Sequence, residues 1–427
     1  MKKIMDQLFL VERASIGLSL FRIAVALATG FHVIPTFFQM GENYLPTAFR
    51  EYNAVFFTVD FLQWVAQSPV WLIYFFVGLF YVSCFFMLIG FLSQLSCILM
   101  TASCYYFYAL NSFQVGTLSW DILLVTLFLM CMTPYHGDYF SLDCLLWGKQ
   151  DAYKRKRPYF IQRLLQVQVG FTYFYTALYK ITAEGNWLKE NVIFYLMHNP
   201  PSGVTKLFLV RDFLKEQPQL CFVIGILIVV VELLMPFLLF WRKTRLSAVY
   251  LGMVFHVMLI LTLDVPAIFF FLFPPQLLLF INPNDIEEWI EQKRTHNLSC
   301  AKRNKLIFDG KCGFCLDSVR KLKIMDLFAT LEYVDFHQVE NIKQIHSQLT
   351  KEDVNKQLYL IEPSGRLYPG FMAFRRLCFL LPMLYPMAAV LYFPGMGVIG
   401  PPVYRFIAKN RHRFKFLARC KDDSCQI

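Results

Sequence analysis

The stretch WLIYFFVGLFYVSCFFMLIGF (71–91) carries no charged side chain over a length that crosses the hydrocarbon core of a bilayer as a helix. In lipid every backbone N–H and C=O must be satisfied within the segment, so the stretch reads as a helix rather than a strand. Working outward in windows of about 20 residues, apolar runs recur at 16–38, 93–111, 120–134, 160–182, 219–241, 246–263 and 264–281, giving about eight candidate spans. The fourth is short, and Pro266, Pro274 and Pro275 predict a kinked or re-entrant eighth. The chain as a whole agrees with this reading. Of its 427 residues 57% are hydrophobic, 17% aromatic and only 17% charged, with a mean hydropathy of +0.45. A soluble globular protein is excluded, and the expected class is a polytopic α-helical membrane bundle. The net charge of +11 comes from Lys and Arg set beside hydrophobic spans rather than along a basic stripe, so it points to membrane lipid and not to nucleic acid.

Positive charge also orients the bundle, because cytoplasmic loops collect Lys and Arg. Lys2, Lys3 and Arg13 precede the first span, Lys149, Lys154, Arg155, Lys156 and Arg157 follow the fourth, and Arg242, Lys243 and Arg245 separate the sixth from the seventh. The intervening connections, 39–70 and 183–218, are mixed in sign. Both termini are therefore expected inside, with Lys293, Arg294, Lys302 and Arg303 after the last span. The first residues, MKKIMDQLFLVER, are too polar for a cleaved signal peptide and are expected to stay on the mature chain. This pattern suits a bacterial inner membrane.

Near residue 285 the composition turns polar, which sets a membrane domain at 9–285, a linker at 286–303 and a water-facing domain at 304–427. NKLIFD (304–309), LEYVDF (331–336) and KQLYLIE (356–362) read as strands, with a helix over 313–327 and further helices from about 371. That order predicts a small α/β domain. Pro363-Ser364-Gly365 closes the third strand with strong turn chemistry.

Twelve cysteines are present. Cys84, Cys97, Cys104, Cys131, Cys144 and Cys221 lie in or beside spans with no paired spacing and read as small buried hydrophobes. Cys378, on an amphipathic helix, reads as core, and Cys300 sits in the linker. Cys312 and Cys315 differ, because they form Cys-x-x-Cys after a strand and at a helix start. A helix N-terminus stabilises a thiolate, and two intervening residues let the second sulfur resolve a mixed disulfide. A zinc site using Cys420 and Cys425 as a second ligand pair is the competing reading. Asp309 could be no more than the residue that bonds backbone N–H groups in the strand-to-helix turn.

The run Leu306-Ile307-Phe308-Asp309-Gly310-Lys311-Cys312-Gly313-Phe314-Cys315 resembles the DCC family of thiol-disulfide oxidoreductases, small thioredoxin-like domains with an Asp-x-x-Cys-x-x-Cys signature. Pro363-Ser364-Gly365, Gly370 with Ala373, Leu380-Leu381-Pro382, Tyr404 and Ile407 through Arg411 resemble that family's later blocks. The resemblance implies Cys312 as attacking thiol, Cys315 as resolving thiol and Asp309 as an accessory proton acceptor or turn former.

Ionisable side chains inside spans are costly and each stands as a functional candidate. Arg22, Asp121, Lys180, Glu232 and His256 stand out. Arg22 and Glu232, opposite in sign and away from span ends, are expected to form an interhelical ion pair. Lys180 can snorkel outward beside Trp187. Residues 9–285 resemble the HTTM domain, the transmembrane module of vitamin K-dependent gamma-carboxylases and of many bacterial proteins. The resemblance is carried by Leu20-Phe21-Arg22, Tyr173-Phe174-Tyr175, Lys180, Trp187, Glu232, Pro236, Thr244-Arg245 and Phe255-His256. It places Lys180 where the carboxylases carry their base. The chain departs from them at Leu118-Ser119-Trp120-Asp121, where a histidine block is missing, and at Asp264-Val265-Pro266. Carboxylation of protein glutamates is not expected.

The leading expectation is a membrane-bound thiol-disulfide oxidoreductase acting as a reductase at the cytoplasmic face, with a disulfide-bearing protein or small thiol as partner. A lipophilic quinone is the one cofactor that the fusion suggests, and no metal is expected. The alternatives are a quinone-dependent membrane enzyme using Lys180 as base, and a non-enzymatic scaffold with a redox-like or zinc-binding domain.

Overall fold

The computed structural model describes residues 11–49, 57–111, 118–147, 156–182, 186–199, 208–262, 272–300 and 303–411. The chain divides into two units, Met1–Asn284 and Asp285–Ile427.

The first unit is helical. Its principal helices are α1 (Ile16–Phe37), α2 (Val70–Ile89), α3 (Ser93–Leu110), α4 (Leu118–Cys131), α5 (Phe160–Thr182), α6 (Pro218–Phe240) and α7 (Arg245–Thr262). Among the described residues four of them, α1, α2, α6 and α7, are long and apolar enough to cross a membrane. The expected count of eight is not confirmed on this measure. At 14 residues α4 is short, the polar Gln162, Arg163, Gln166, Gln168 and Lys180 lower the hydropathy of α5, and Ser93, Gln94, Ser96, Thr101 and Ser103 do the same in α3. The eighth candidate lies partly outside the described residues, Asp264-Val265-Pro266 among them, and its remainder holds a six-residue helix, Phe273–Leu278, with both prolines in its first turn. Pro at those positions is compatible with a helix start, where its missing N–H would have had no partner.

Packing depends on which faces are apolar. Helix α1 is the most buried of the four spans, whereas α2 turns Trp71, Phe75, Tyr81 and Phe85 outward. An apolar outer surface is what a lipid-facing helix presents. Between the helices, Phe80, Met87, Met100, Phe107, Leu123 and Leu127 form a continuous core. A short antiparallel pair, β1 (Glu12–Ala14) with β2 (Lys156–Pro158), joins the starts of α1 and α5. Helix α2 ends on Gly90 at φ +68°, a left-handed C-cap that glycine adopts without a Cβ penalty.

Helix α8 (Pro283–Ser299) begins in the last two residues of the first unit, and the second unit continues as β3 (Asn304–Phe308), α9 (Gly313–Met325), β4 (Leu331–Asp335), α10 (Lys351–Lys356), β5 (Tyr359–Ile361), β6 (Leu367–Pro369), α11 (Gly370–Leu380), α12 (Tyr385–Leu391) and α13 (Met396–Asn410). The sheet order is β4-β3-β5-β6, with β3 and β4 parallel and β5 and β6 antiparallel to their neighbours. Ile307, Phe336, Ile342, Val354, Tyr359 and Ile361 fill one core of this unit. The expected third strand is shorter than the sequence suggested, because a Thr350–Asp353 capping box draws the chain up to Lys356 into α10. Strand β6 has no counterpart among the expected elements. Gly365, at φ +84°, folds the chain back so that Leu367 pairs with Ile361. Helix α9 stops two residues early, where the Asp326 carboxylate accepts from the N–H groups of Thr330 and Leu331.

Candidate functional site

The parallel register aligns Phe308 with Asp335, so the chain leaving β3 passes directly beside the end of β4. There the Gly310 N–H donates to Asp335 Oδ1 at 3.0 Å. A Cβ at 310 would stand 2.1 Å from Asp335 Oδ2, so only glycine fits this close approach. Gly310→Ala is expected to lower stability by about 1–3 kcal/mol, the usual cost of overpacking, read as a lower denaturation midpoint of the full-length protein; an unchanged midpoint would show that Asp335 can move aside freely.

Two residues on, Cys312 takes the N-cap position of α9, with an extended backbone and no side-chain cap hydrogen bond. Its carbonyl accepts the Leu316 N–H at 2.9 Å and its own N–H donates to the Asp309 carbonyl. Cys315 follows in the first turn, which brings the two sulfurs into a hydrogen bond. Cys312 is only 1% exposed. Cys315 is more open and borders a cavity of about 50 Å³ lined also by Phe314, Phe374 and Tyr404. Burial is thus the reverse of what an attacking Cys312 would suggest.

The hydrogen bond to Cys312, followed by burial, pushes the Cys315 thiol well above its ordinary value, with the Arg411 guanidinium acting in the opposite direction. A raised thiol value favours the protonated form, so the stability this proton contributes is complete at neutral pH and falls progressively once pH rises above the ordinary thiol value. Cys315 is accordingly expected to alkylate slowly from roughly pH 7 to 9, and faster in Cys312→Ala, which removes the largest cause. Alkylation of wild-type Cys315 faster than a free cysteine would contradict this.

Asp309 does more than form the turn. Its Oδ1 accepts from the Lys311 N–H at 3.1 Å and lies 2.9 Å from His337 Nε2, while Oδ2 accepts from Arg411 at 2.9 Å. Asp309 and Arg411 are both nearly buried, and His337 leads from them toward the surface at 29% side-chain exposure. Arg411 also donates to the Asn355 carbonyl at 2.8 Å, tying the end of α13 to the end of α10. Sequence reasoning passed over His337, Asp335 and the role of Arg411. The one available signal was Arg411's place in the last family-like block; nothing local marks His337. Cys420 and Cys425 lie outside the described residues.

In the helical unit the expected Arg22–Glu232 pair does not form. Arg22, fully buried, donates to the carbonyls of His136, Tyr139 and Phe140 and so holds the turn after α4. Three carbonyl oxygens thus take both terminal nitrogens of the guanidinium, and among the described residues no carboxylate bonds it. Glu232 instead takes Lys180 in a bidentate pair at 2.8 and 2.6 Å, with the ammonium 5.3 Å from the centre of the Trp187 ring. Lys180 therefore does not simply snorkel outward. His256 is buried, bonded through Nε2 to the Tyr173 hydroxyl at 2.7 Å and stacked on Phe273. Asp121 is half-buried at the start of α4.

Lys180 thus pairs with Glu232 between α5 and α6, and Tyr173 with His256 between α5 and α7, and Arg22 takes part in neither pair. Residues 306–417 match the model of the DCC1-like thiol-disulfide oxidoreductase family. Residues 11–284 match that of the HTTM domain. No curated protein and no solved structure matches the chain. Since the second match covers more than half of its length and the first falls on the dithiol, the chain belongs to the HTTM family and carries behind that domain a DCC1-like thiol-disulfide oxidoreductase domain.

Proposed function

We propose that the protein is a membrane-bound thiol-disulfide oxidoreductase that reduces a disulfide on a protein or a small thiol with Cys312 and Cys315. The observation that carries this reading is the dithiol at the start of α9, with Cys312 at the N-cap and Cys315 in the first turn within hydrogen-bonding reach of it. In this reading the Cys312 thiolate attacks one sulfur of the partner disulfide, releasing the first thiol. Cys315 then attacks the Cys312 sulfur, giving up its proton and releasing the second. The 1% exposure of Cys312 means that docking of the partner must uncover it. Asp309, held by Arg411 and His337, orients the turn that carries the dithiol.

The strand order, a parallel strand pair followed by an antiparallel hairpin and a helix, supports a thioredoxin-like reading of the domain. Its placement on the cytoplasmic face of a bacterial inner membrane rests on the distribution of Lys and Arg, and in that compartment reductase chemistry is favoured. Coupling to a lipophilic quinone rests on the fusion of the two domains. The test is differential alkylation of the full-length protein in intact cells, with Cys312 and Cys315 titrated against defined glutathione potentials. A cooperative two-electron transition at the pair is expected; thiols that stay unreactive across the range would overturn the assignment.

A further inference from the structure

Much of α3 and α4 and the segment between them separate Cys97 from Cys131, and nothing in their spacing pairs them. The fold brings their sulfurs to 3.6 Å. Elsewhere in the same unit a thiol finds a backbone carbonyl: Cys84 bonds to that of Ala26 at 3.4 Å and Cys221 to that of Leu214 at 3.3 Å. Around Cys131 the acceptors are different. Thr101 Oγ1 donates to the Cys97 carbonyl at 2.7 Å, which leaves the Thr101 hydroxyl oxygen to accept from the Cys131 thiol at 3.1 Å. The side chain of Gln94 donates to the Cys131 carbonyl and holds the end of α4 against the first turn of α3. Cys97 is fully buried, while Cys131 is partly open and is followed by the exposed Met132. One sealed thiol behind one reachable thiol, close enough for the first to resolve a mixed disulfide on the second, is the arrangement that thiol–disulfide exchange needs.

We propose that Cys97 and Cys131 form a second redox-active dithiol, inside the helical bundle, that closes to a disulfide by exchange with an external disulfide. Cys131 loses its proton and attacks one sulfur of the external disulfide; the S–S bond breaks, a mixed disulfide forms and the first thiol leaves with that proton. Cys97 then attacks the Cys131 sulfur, and the second thiol leaves with the proton of Cys97. Two protein thiols lose two electrons, and the external disulfide becomes two thiols. Closing the pair requires the sulfurs to approach from 3.6 Å to about 2 Å, a shift of the order that side-chain rotation supplies. The proposal stands independently of Cys312 and Cys315, so it holds or fails separately from the function proposed above.

The test uses the full-length protein carrying Cys312→Ser and Cys315→Ser in membrane vesicles, equilibrated with glutathione and glutathione disulfide at graded ratios, then alkylated and analysed by mass spectrometry. Two alkylation sites are expected to disappear together, with a linked Cys97–Cys131 peptide that dithiothreitol releases. Adding Cys97→Ser should leave a glutathione mixed disulfide standing on Cys131. Full alkylation of both thiols at every ratio, or glutathione on Cys131 that never gives way to the Cys97 link, would overturn the proposal. The parental chain, run in parallel, reports Cys312 and Cys315 in the same spectra, so a failure there is read separately.

Discussion

Cys312→Ala is expected to remove disulfide-reducing turnover by a factor on the order of a thousand or more, since without the attacking sulfur no mixed disulfide can form. Cys315→Ala should fail differently. Attack by Cys312 remains available, but the intermediate has no resolving thiol, so the protein is expected to accumulate covalently attached to its substrate, visible as a mass increase that reductant reverses. The exposures sharpen the comparison: Cys312 is 1% exposed and Cys315 more open. If Cys315 were the attacking thiol, the trapped adduct would appear in Cys312→Ala instead, with the bond on Cys315. The two single variants therefore assign both roles, and equal residual turnover in both would remove the dithiol from the chemistry altogether.

The second large effect belongs to the membrane domain. Glu232→Ala would leave the Lys180 ammonium, 18% exposed and hydrogen-bonded to both carboxylate oxygens, without its counter-charge inside the bundle. Breaking a buried pair on one side typically costs about 3–5 kcal/mol, whereas replacing both partners with apolar residues of similar size is close to neutral. Glu232→Ala is thus expected to lose most of its folded protein in a detergent thermal-stability assay, and the double variant Lys180→Met, Glu232→Leu to recover it. The same double variant decides what the pair is for. Retained disulfide reductase activity would mark it as structural, while a folded but inactive double variant would move the chemistry toward Lys180 and the neighbouring Tyr173–His256 contact.

Periodicity and composition, which are local, carried the helical bundle, the strand-helix-strand start of the C-terminal domain and the dithiol at a helix N-terminus. An uncharged run such as 71–91 can satisfy its backbone only as a helix, and Cys-x-x-Cys after an apolar strand has few other readings. Pairing across the sequence was not legible. Arg22 and Glu232 looked complementary because only their signs and depths were visible; which helix faces which is set by packing, and packing gave Glu232 to Lys180 and Arg22 to three carbonyls. For the same reason β6, formed only because Gly365 turns the chain back, left a weak three-residue signal. His337 and Arg411 reach Asp309 across 28 and 102 residues, and Cys97 meets Cys131 across 34. The sequence by itself determined the helical character of the first unit, the Cys312–Cys315 dithiol and the strand and helix that flank it. Which side chains stand side by side was decided only by the tertiary structure, because contact depends on interhelical packing and strand register that no short window of residues encodes.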